Sequence, residues 1–271
     1  MVVKTELLTA QSYIHNLAHW NDRIELIRVL DHSMCSVING AEHVLNTGDV
    51  CLINREQLHR NYLPDGVEAC TYQYLQLDPA LFTADKNIFQ RYVVPVLSDE
   101  TFVHAHFRKG SRYAAAFADL LDRSADAEKL AEAGFEFELI SLMYLFFQRI
   151  YQYYLYAKEQ PHAPVNPDIL LYRKIADYIY QNYASRLSLD DIAASGNVSR
   201  SKCCSVFKAY AGHAPIDFLN LYRLKISADL LRNSSDSIAS IAAACGFGQQ
   251  SYFNRLFLRE YGMTPKAFRT T

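Results

Sequence analysis

Through the first third of the chain, apolar positions come in short runs rather than at helical spacing. IELIRVL (24–30), SVINGAEHVL (36–45), DVCLIN (49–54) and ACTYQYLQL (69–77) are rich in β-branched and aromatic side chains. Gly40, Gly48-Asp49 and Pro64-Asp65-Gly66 separate them as turns. Strands this close together, with no helical pattern between them, predict an antiparallel barrel or sandwich. From about Arg112 the period changes. YAAAFADLLDRSADAEKL (113–130) and FEFELISLMYLFFQRIYQYYLYAK (135–158) carry apolar residues at helical spacing. The second is apolar around much of its circumference, which places it inside the core or against a second copy of the chain. KEQPHAPVNPD (158–168) holds three prolines and reads as a linker, with Asp168 starting a helix after Pro167. Everything beyond it has a helical pattern.

That helical part repeats itself. SLDDIAASGNVSRSKCCSVFKAYAGHAP begins at Ser188 and SIASIAAACGFGQQSYFNRLFLREYGMTP at Ser237. Ile192-Ala193 recurs as Ile241-Ala242, and Phe207, Gly212 and Pro215 recur as Phe257, Gly262 and Pro265. Each copy gives a Ser cap, a short helix, a Gly-containing turn, a second helix and a Gly-x-x-Pro stop. This is a helix-turn-helix unit, present twice. Between the copies, IDFLNLYRLKISADLLRN (216–233) predicts one helix about 27 Å long. On the second helix of each copy, Cys203, Val206, Phe207 and Tyr210, and then Phe253, Leu256 and Phe257, share an inward face. Ser201, Cys204, Ser205 and Lys208, and then Ser251, Asn254, Arg255 and Arg259, fall opposite. Small, amide-bearing and basic side chains are the types that hydrogen-bond base edges and phosphates in a major groove.

Charge sharpens this picture. The chain of 271 residues has a net charge of only -2, which by itself argues for no nucleic-acid partner. Residues 1–166, however, hold 14 Lys and Arg against 21 Asp and Glu, whereas residues 167–271 hold 13 against 8. An acidic front and a basic back imply two domains with different partners. The opening MVVKTELLTAQ lacks the basic-then-apolar layout of a secretory signal, and no apolar run reaches the roughly 18 residues of a membrane span. The six cysteines include no CxxC pair. Adjacent Cys203 and Cys204 point about 100° apart on a helix, which disfavours a bridge between them. A cytoplasmic protein without a membrane partner is expected.

The tail resembles the AraC/XylS group of bacterial transcription regulators over about 100 residues. Gly246-Phe247, Ser251-Tyr252-Phe253, Arg255, Phe257, Gly262, Thr264-Pro265 and Phe268-Arg269 fall in the family signature, and LSLDDIA and VSRSKCCSVFK match its first unit. The resemblance implies a domain with two helix-turn-helix units that binds promoter DNA, and RNA polymerase as a further partner. It also implies base readers at Ser201, Cys204 and Ser205 in the first unit, and at Gln250, Ser251 and Arg255 in the second. Arg200 and Gln249, beside them, together with Lys208 and Asn254, complete the expected interface. The first helix offers small side chains where many members carry large polar or aromatic ones, so specificity is expected to rest more on the second.

The front end resembles the cupin-like sensor domain of the same group, through HWNDRIE (19–25) and LNTGDVCLINREQLH (45–59). The positions matching the metal ligands of metal-bearing cupins are His19, Asn21, Glu25 and His59. Asn21 stands where a second His is expected, and Asn is a poor ligand for metals that imidazole suits. No metal and no cofactor are therefore expected. With Trp20, these residues form a candidate pocket for a small polar effector such as a sugar; an apolar effector and a purely structural role for His19, His59 and Trp20 stay open.

The expected architecture is α+β. It comprises a cupin-like antiparallel β-barrel (1–110), a helical dimerisation segment (111–157), a linker (158–168) and an all-α DNA-binding domain (169–271). The expected function is that of a dimeric regulator, an activator by the resemblance, with no catalytic step. A cupin-type metal enzyme with a helical accessory domain, and a DNA-binding protein that needs no effector, are the alternatives.

Overall fold

A computed structural model describes residues 3–9, 18–160 and 166–270. The chain divides into two compact units, one formed by residues 1–10 and 19–165, the other by 11–18 and 166–271.

The first unit is built on two antiparallel sheets. One has five strands in the order β1 (Val3–Thr9), β7 (Ala69–Leu77), β2 (Ile24–Asp31), β5 (Val50–Ile53) and β8 (His104–Phe107). The other has three, in the order β4 (Ala41–Asn46), β3 (Ser33–Ile38) and β6 (His59–Tyr62). The apolar runs of the sequence correspond to β2, β3 with β4, β5 and β7, and Asn39-Gly40, both at positive φ, make the β3–β4 turn. Strands β1, β6 and β8 were not anticipated. Met34, Ile38 and Leu45 of the small sheet pack with Ile27, Val29, Cys51 and Ile53 of the large one, so these inner faces share a core.

The outer face of the large sheet is covered as well. Leu26, Leu52, Leu75 and Phe107 pack there against α3 (Arg112–Leu130) and α4 (Phe135–Lys158), the two helices read from the sequence. Burial on both faces explains why IELIRVL and VCLI lack the strict alternation of a half-solvated strand. Between β7 and β8 the chain makes a 3₁₀ turn (Pro79–Phe82), α1 (Lys86–Ile88), a π-helical stretch (Phe89–Val93) and α2 (Val94–Ser98). Helix α4 buries Leu142, Met143, Phe146, Phe147, Ile150 and Tyr154 in its own unit's core, while Phe137 stays 77% exposed and Tyr156 55%. Its apolar circumference thus has two parts, one internal and one facing solvent.

Residues 161–165 of the expected linker lie outside the described residues. Helix α5 (Pro167–Asn182) starts where the sequence predicts, with Asp168 in its first turn, and is capped by Asn166, whose side chain accepts from the Asp168 amide. The second unit continues with α6 (Leu189–Ser195) and α7 (Arg200–Ala211), then α8 (Pro215–Asn233), then α9 (Ile238–Ala244), α10 (Gln250–Tyr261) and α11 (Pro265–Phe268). Ser188 and Ser237 cap α6 and α9 as expected, Ser188 with a full capping box through Asp191. Gly212 and Gly262 end α7 and α10 in the left-handed region, and Pro215 and Pro265 open the helices that follow. Phe218, Leu219 and Leu221 of α8 are buried on one stretch, and Leu224, Ala228 and Leu231 are buried in the core of the second repeat.

Gly246, in the turn before α10, has φ +81°, and a Cβ there would lie 2.7 Å from the Tyr183 carbonyl oxygen and 2.8 Å from that of Ala184. These are backbone atoms and cannot swing away. Gly246→Ala is expected to destabilise the second unit by about 2–4 kcal/mol, read as a lower urea midpoint in unfolding of the full-length protein.

Candidate nucleic-acid interface and effector pocket

In each repeat the second helix buries one face and frees the other. Cys203, Val206, Phe207 and Tyr210 are buried on α7, and Phe253, Leu256 and Phe257 on α10, as the periodicity predicts. On the opposite faces Arg200, Ser201, Ser205, Lys208, Gln249, Gln250, Ser251, Asn254 and Arg255 are all exposed, and Cys204 is half-buried. The six cysteines are free thiols.

The two helices differ in how their cations are held. Arg200 donates through Nε and Nη2 to the two carboxylate oxygens of Asp190, so its charge is partly neutralised within the first repeat. The Arg255 guanidinium instead lies 5.4 Å over the Tyr252 ring, and the Tyr252 hydroxyl accepts from Asn220 at 3.3 Å. Stacking on an aromatic face orients a guanidinium without cancelling its charge. A hollow lined by Arg186, Arg223 and Gln249 lies beside α10. Exposed Arg186 adds a cation that the sequence reading passed over because it precedes the first repeat.

In the barrel unit, Asn21, Glu25 and His59 come together. His19 and His59 exchange backbone hydrogen bonds at 3.0 and 2.9 Å, and their rings lie 4.5 Å apart. The Glu25 carboxylate accepts from His59 Nε2 at 2.9 Å, from Gln76 Nε2 at 2.8 Å and from the Asn21 amide. Trp20, next in sequence to His19, is half-buried. Gln76 was missed because its partner is 51 residues away in sequence, reached only through the β2–β7 register that sets Glu25 opposite it.

Electrostatics make this a tight pair. Burial alone would raise the Glu25 carboxyl, but His59, with smaller help from His19 and Gln76, outweighs it and holds the group at about 2. Burial likewise opposes a charge on His59, and Glu25 outweighs it, raising the imidazole above its usual range. Geometry agrees: His59 Nδ1 faces the Gln57 carbonyl oxygen at 3.0 Å and Nε2 faces the carboxylate, so both ring nitrogens donate. His19, Glu25 and His59 each offer one ligand atom within 4.8 Å of the others, and a metal could be held only there among the described residues. The set is incomplete: Asn21, standing where a further imidazole is expected, donates to the same carboxylate, so a metal would find three ligands here rather than the four of metal-bearing cupins.

Profiles of two families match the chain. One, described as an AraC-like ligand binding domain, covers residues 14–147, and the other, a helix-turn-helix domain, covers residues 192–271. The chain belongs to the AraC family of transcription regulators. Similar family members include the uncharacterized HTH-type transcriptional regulator YdeC of Bacillus subtilis, 22% identical over 93% of this chain and 85% of its own length. The HTH-type transcriptional activator RhaS of Escherichia fergusonii is 25% identical over 93% and 86%. Among solved structures, fatty-acid-bound ToxT of Vibrio cholerae is 15% identical, with a TM-score of 0.49 over 99% of this chain and 94% of that one. No helix among the described residues is long and apolar enough to cross a membrane.

The Glu25–His59 pair has a definite pH signature. Because the Glu25 pKa is lowered on folding, its stabilisation is full above the ordinary value of 4.5 and disappears as pH falls towards about 2. Because the His59 pKa is raised, its share is full below 6.5 and declines as pH climbs past that value. Glu25→Gln is expected to flatten the acid limb between those two lower values, and to cost about 1–3 kcal/mol at neutral pH by leaving His59 without a counter-charge. Urea midpoints measured across pH check both.

Proposed function

We propose that this regulator is a cytosolic activator, working as a homodimer, that binds promoter DNA through α7 and α10 and responds to a small polar metabolite held in the barrel. The observation that carries the reading is the pair of helices with buried aromatic faces and exposed basic and amide faces, both anchored on α8. Nineteen residues of α8 extend about 28 Å, a strut compatible with two helices entering neighbouring major grooves about one turn apart. Arg255, Gln250 and Ser251 supply base contacts in the second groove, with Asn254 and Gln249 beside them. Ser201, Cys204 and Ser205 meet the first groove, where Lys208 and Arg200 favour phosphates.

The solvent-facing part of α4, with Phe137, Ile140, Leu155 and Tyr156, is the dimerisation surface in this reading. Effector binding near His19, Trp20, Asn21, Glu25 and His59 shifts the population of states in which the DNA-binding unit engages DNA and RNA polymerase. Activation rather than repression is supported by the likeness to proteins named as transcriptional activators RhaS.

Arg255→Ala is expected to weaken binding to a genomic fragment selected by the protein by about 1–3 kcal/mol, or roughly ten- to a hundredfold. Titration at fixed salt checks this, and unchanged affinity removes Arg255 from the groove.

A further inference from the structure

The inner face of the three-stranded sheet carries a polar row with atoms left unpaired among the described residues. Ser36 on β3 lies opposite His43 on β4 and Asn61 on β6, so the three side chains share one face. Apolar neighbours flank the row. Met34 and Leu45 lie on one side of it and Ile38 on the other, all in the inner core. From the facing sheet His104 sets its ring 4.3 Å from that of His43. Ser36 Oγ, His43 Nε2, Asn61 Oδ1 and His104 Nδ1 are all buried without a hydrogen-bond partner. Buried polar atoms are paired in folded proteins because an orphan forfeits its hydration for nothing. Three in one cross-strand row, with a fourth facing them from the other sheet, point to a place built to receive a polar partner.

The neighbouring Glu25–His59 pair differs in kind. His59 shares the inner face of β6 with Asn61, two residues away, but its nitrogens and the Glu25 carboxylate already have partners. The open hydrogen-bonding capacity of this face therefore lies in the row, with the pair beside it on β6.

We propose that Ser36, His43, Asn61 and His104 form the polar contact surface of the effector site, and that it takes a neutral polyhydroxylated small molecule. This rests on reading the barrel as the effector-binding unit. Each orphan group needs a partner able to donate or accept as required, and the amide needs one whichever way it is turned. A hydroxyl does both. The row carries no charge to meet an anion: burial, then the nearby imidazoles, lowers His104 to about 4, and burial and His106 lower His43. A metal is the weaker occupant. Two imidazoles are half of a tetrahedral set, hydroxyl and amide are poor complements to them, and the third nearby imidazole, His106, is bound to Asp49 at 2.9 Å.

The test is thermal unfolding of the full-length protein with neutral pentoses, hexoses and alditols, and in parallel with uronic acids and with Zn²⁺. Wild type is compared with Asn61→Leu, His104→Phe and the milder Ser36→Ala. The expected result is that at least one neutral polyol raises the wild-type Tm, that Asn61→Leu and His104→Phe abolish the shift, and that Ser36→Ala reduces it. The unliganded Tm of Asn61→Leu is expected to equal or exceed that of wild type, because an apolar group removes an orphan. An equal polyol shift in all variants overturns the assignment while leaving an effector-binding barrel intact. A Zn²⁺ shift lost in the same variants, or no polyol shift in wild type, overturns the ligand class. DNA binding by wild type, measured separately on genomic fragments, decides the regulator reading, so the two can fail independently.

Discussion

A single buried guanidinium holds the two halves of the DNA-binding unit to one geometry. Arg223 sits midway along α8, where its Nε donates to the Tyr183 carbonyl and its Nη2 to the Ser185 carbonyl, each at 2.7 Å. Both carbonyls lie just past the end of α5, where helix termini leave oxygens without internal partners. The same guanidinium lies 5.7 Å from the Phe247 ring in the turn of the second repeat, and Gly246 beside it has no room for a side chain. One charge thus satisfies the end of the first repeat's supporting helix and braces the turn that aims α10. Removing it would leave two carbonyls unpaired and loosen that turn at once. The contact ties the end of α5 to the turn that aims α10.

The barrel unit follows a different logic. Its five-stranded sheet is packed on both faces, against helices outside and the smaller sheet inside, so its interior is mostly apolar. Polar groups inside it are therefore informative. Some are matched: Glu25 has three donors, and Asp49 accepts from the Lys109 amide and faces His106. Others, in the row across β4, β3 and β6, are unmatched. In the proposed reading, the contrast separates polarity that holds the fold from polarity that meets an effector.

How much of this the sequence revealed depended on the range of the interactions. The second unit was legible almost throughout, because Ser caps, left-handed Gly positions and the helical period are local signals that survive without tertiary context. Inward and outward residues on α7 and α10 fell as the period placed them, with Cys204 half-buried as the one intermediate. Asn166 caps α5 because its side chain, just before Pro167, reaches the free amide of Asp168 two residues on. In the barrel, β6 and β8 were invisible: HRNY and HAHF are four-residue strands with too few apolar positions to show a period. Asn21 interrupts the His-x-His expected at His19, while an intact His-x-His, His104 and His106, lies on β8. Ser36, His43 and Asn61 are brought into line only by strand register, which no local pattern encodes.

Hydroxyl-radical footprinting of the purified protein on a genomic fragment it selects tests the central claim most directly. Two protected patches about one helical turn apart on the same face of the duplex are the predicted result. A single patch, or two on opposite faces, would contradict the account, because α7 and α10 could not then be reading one DNA side by side.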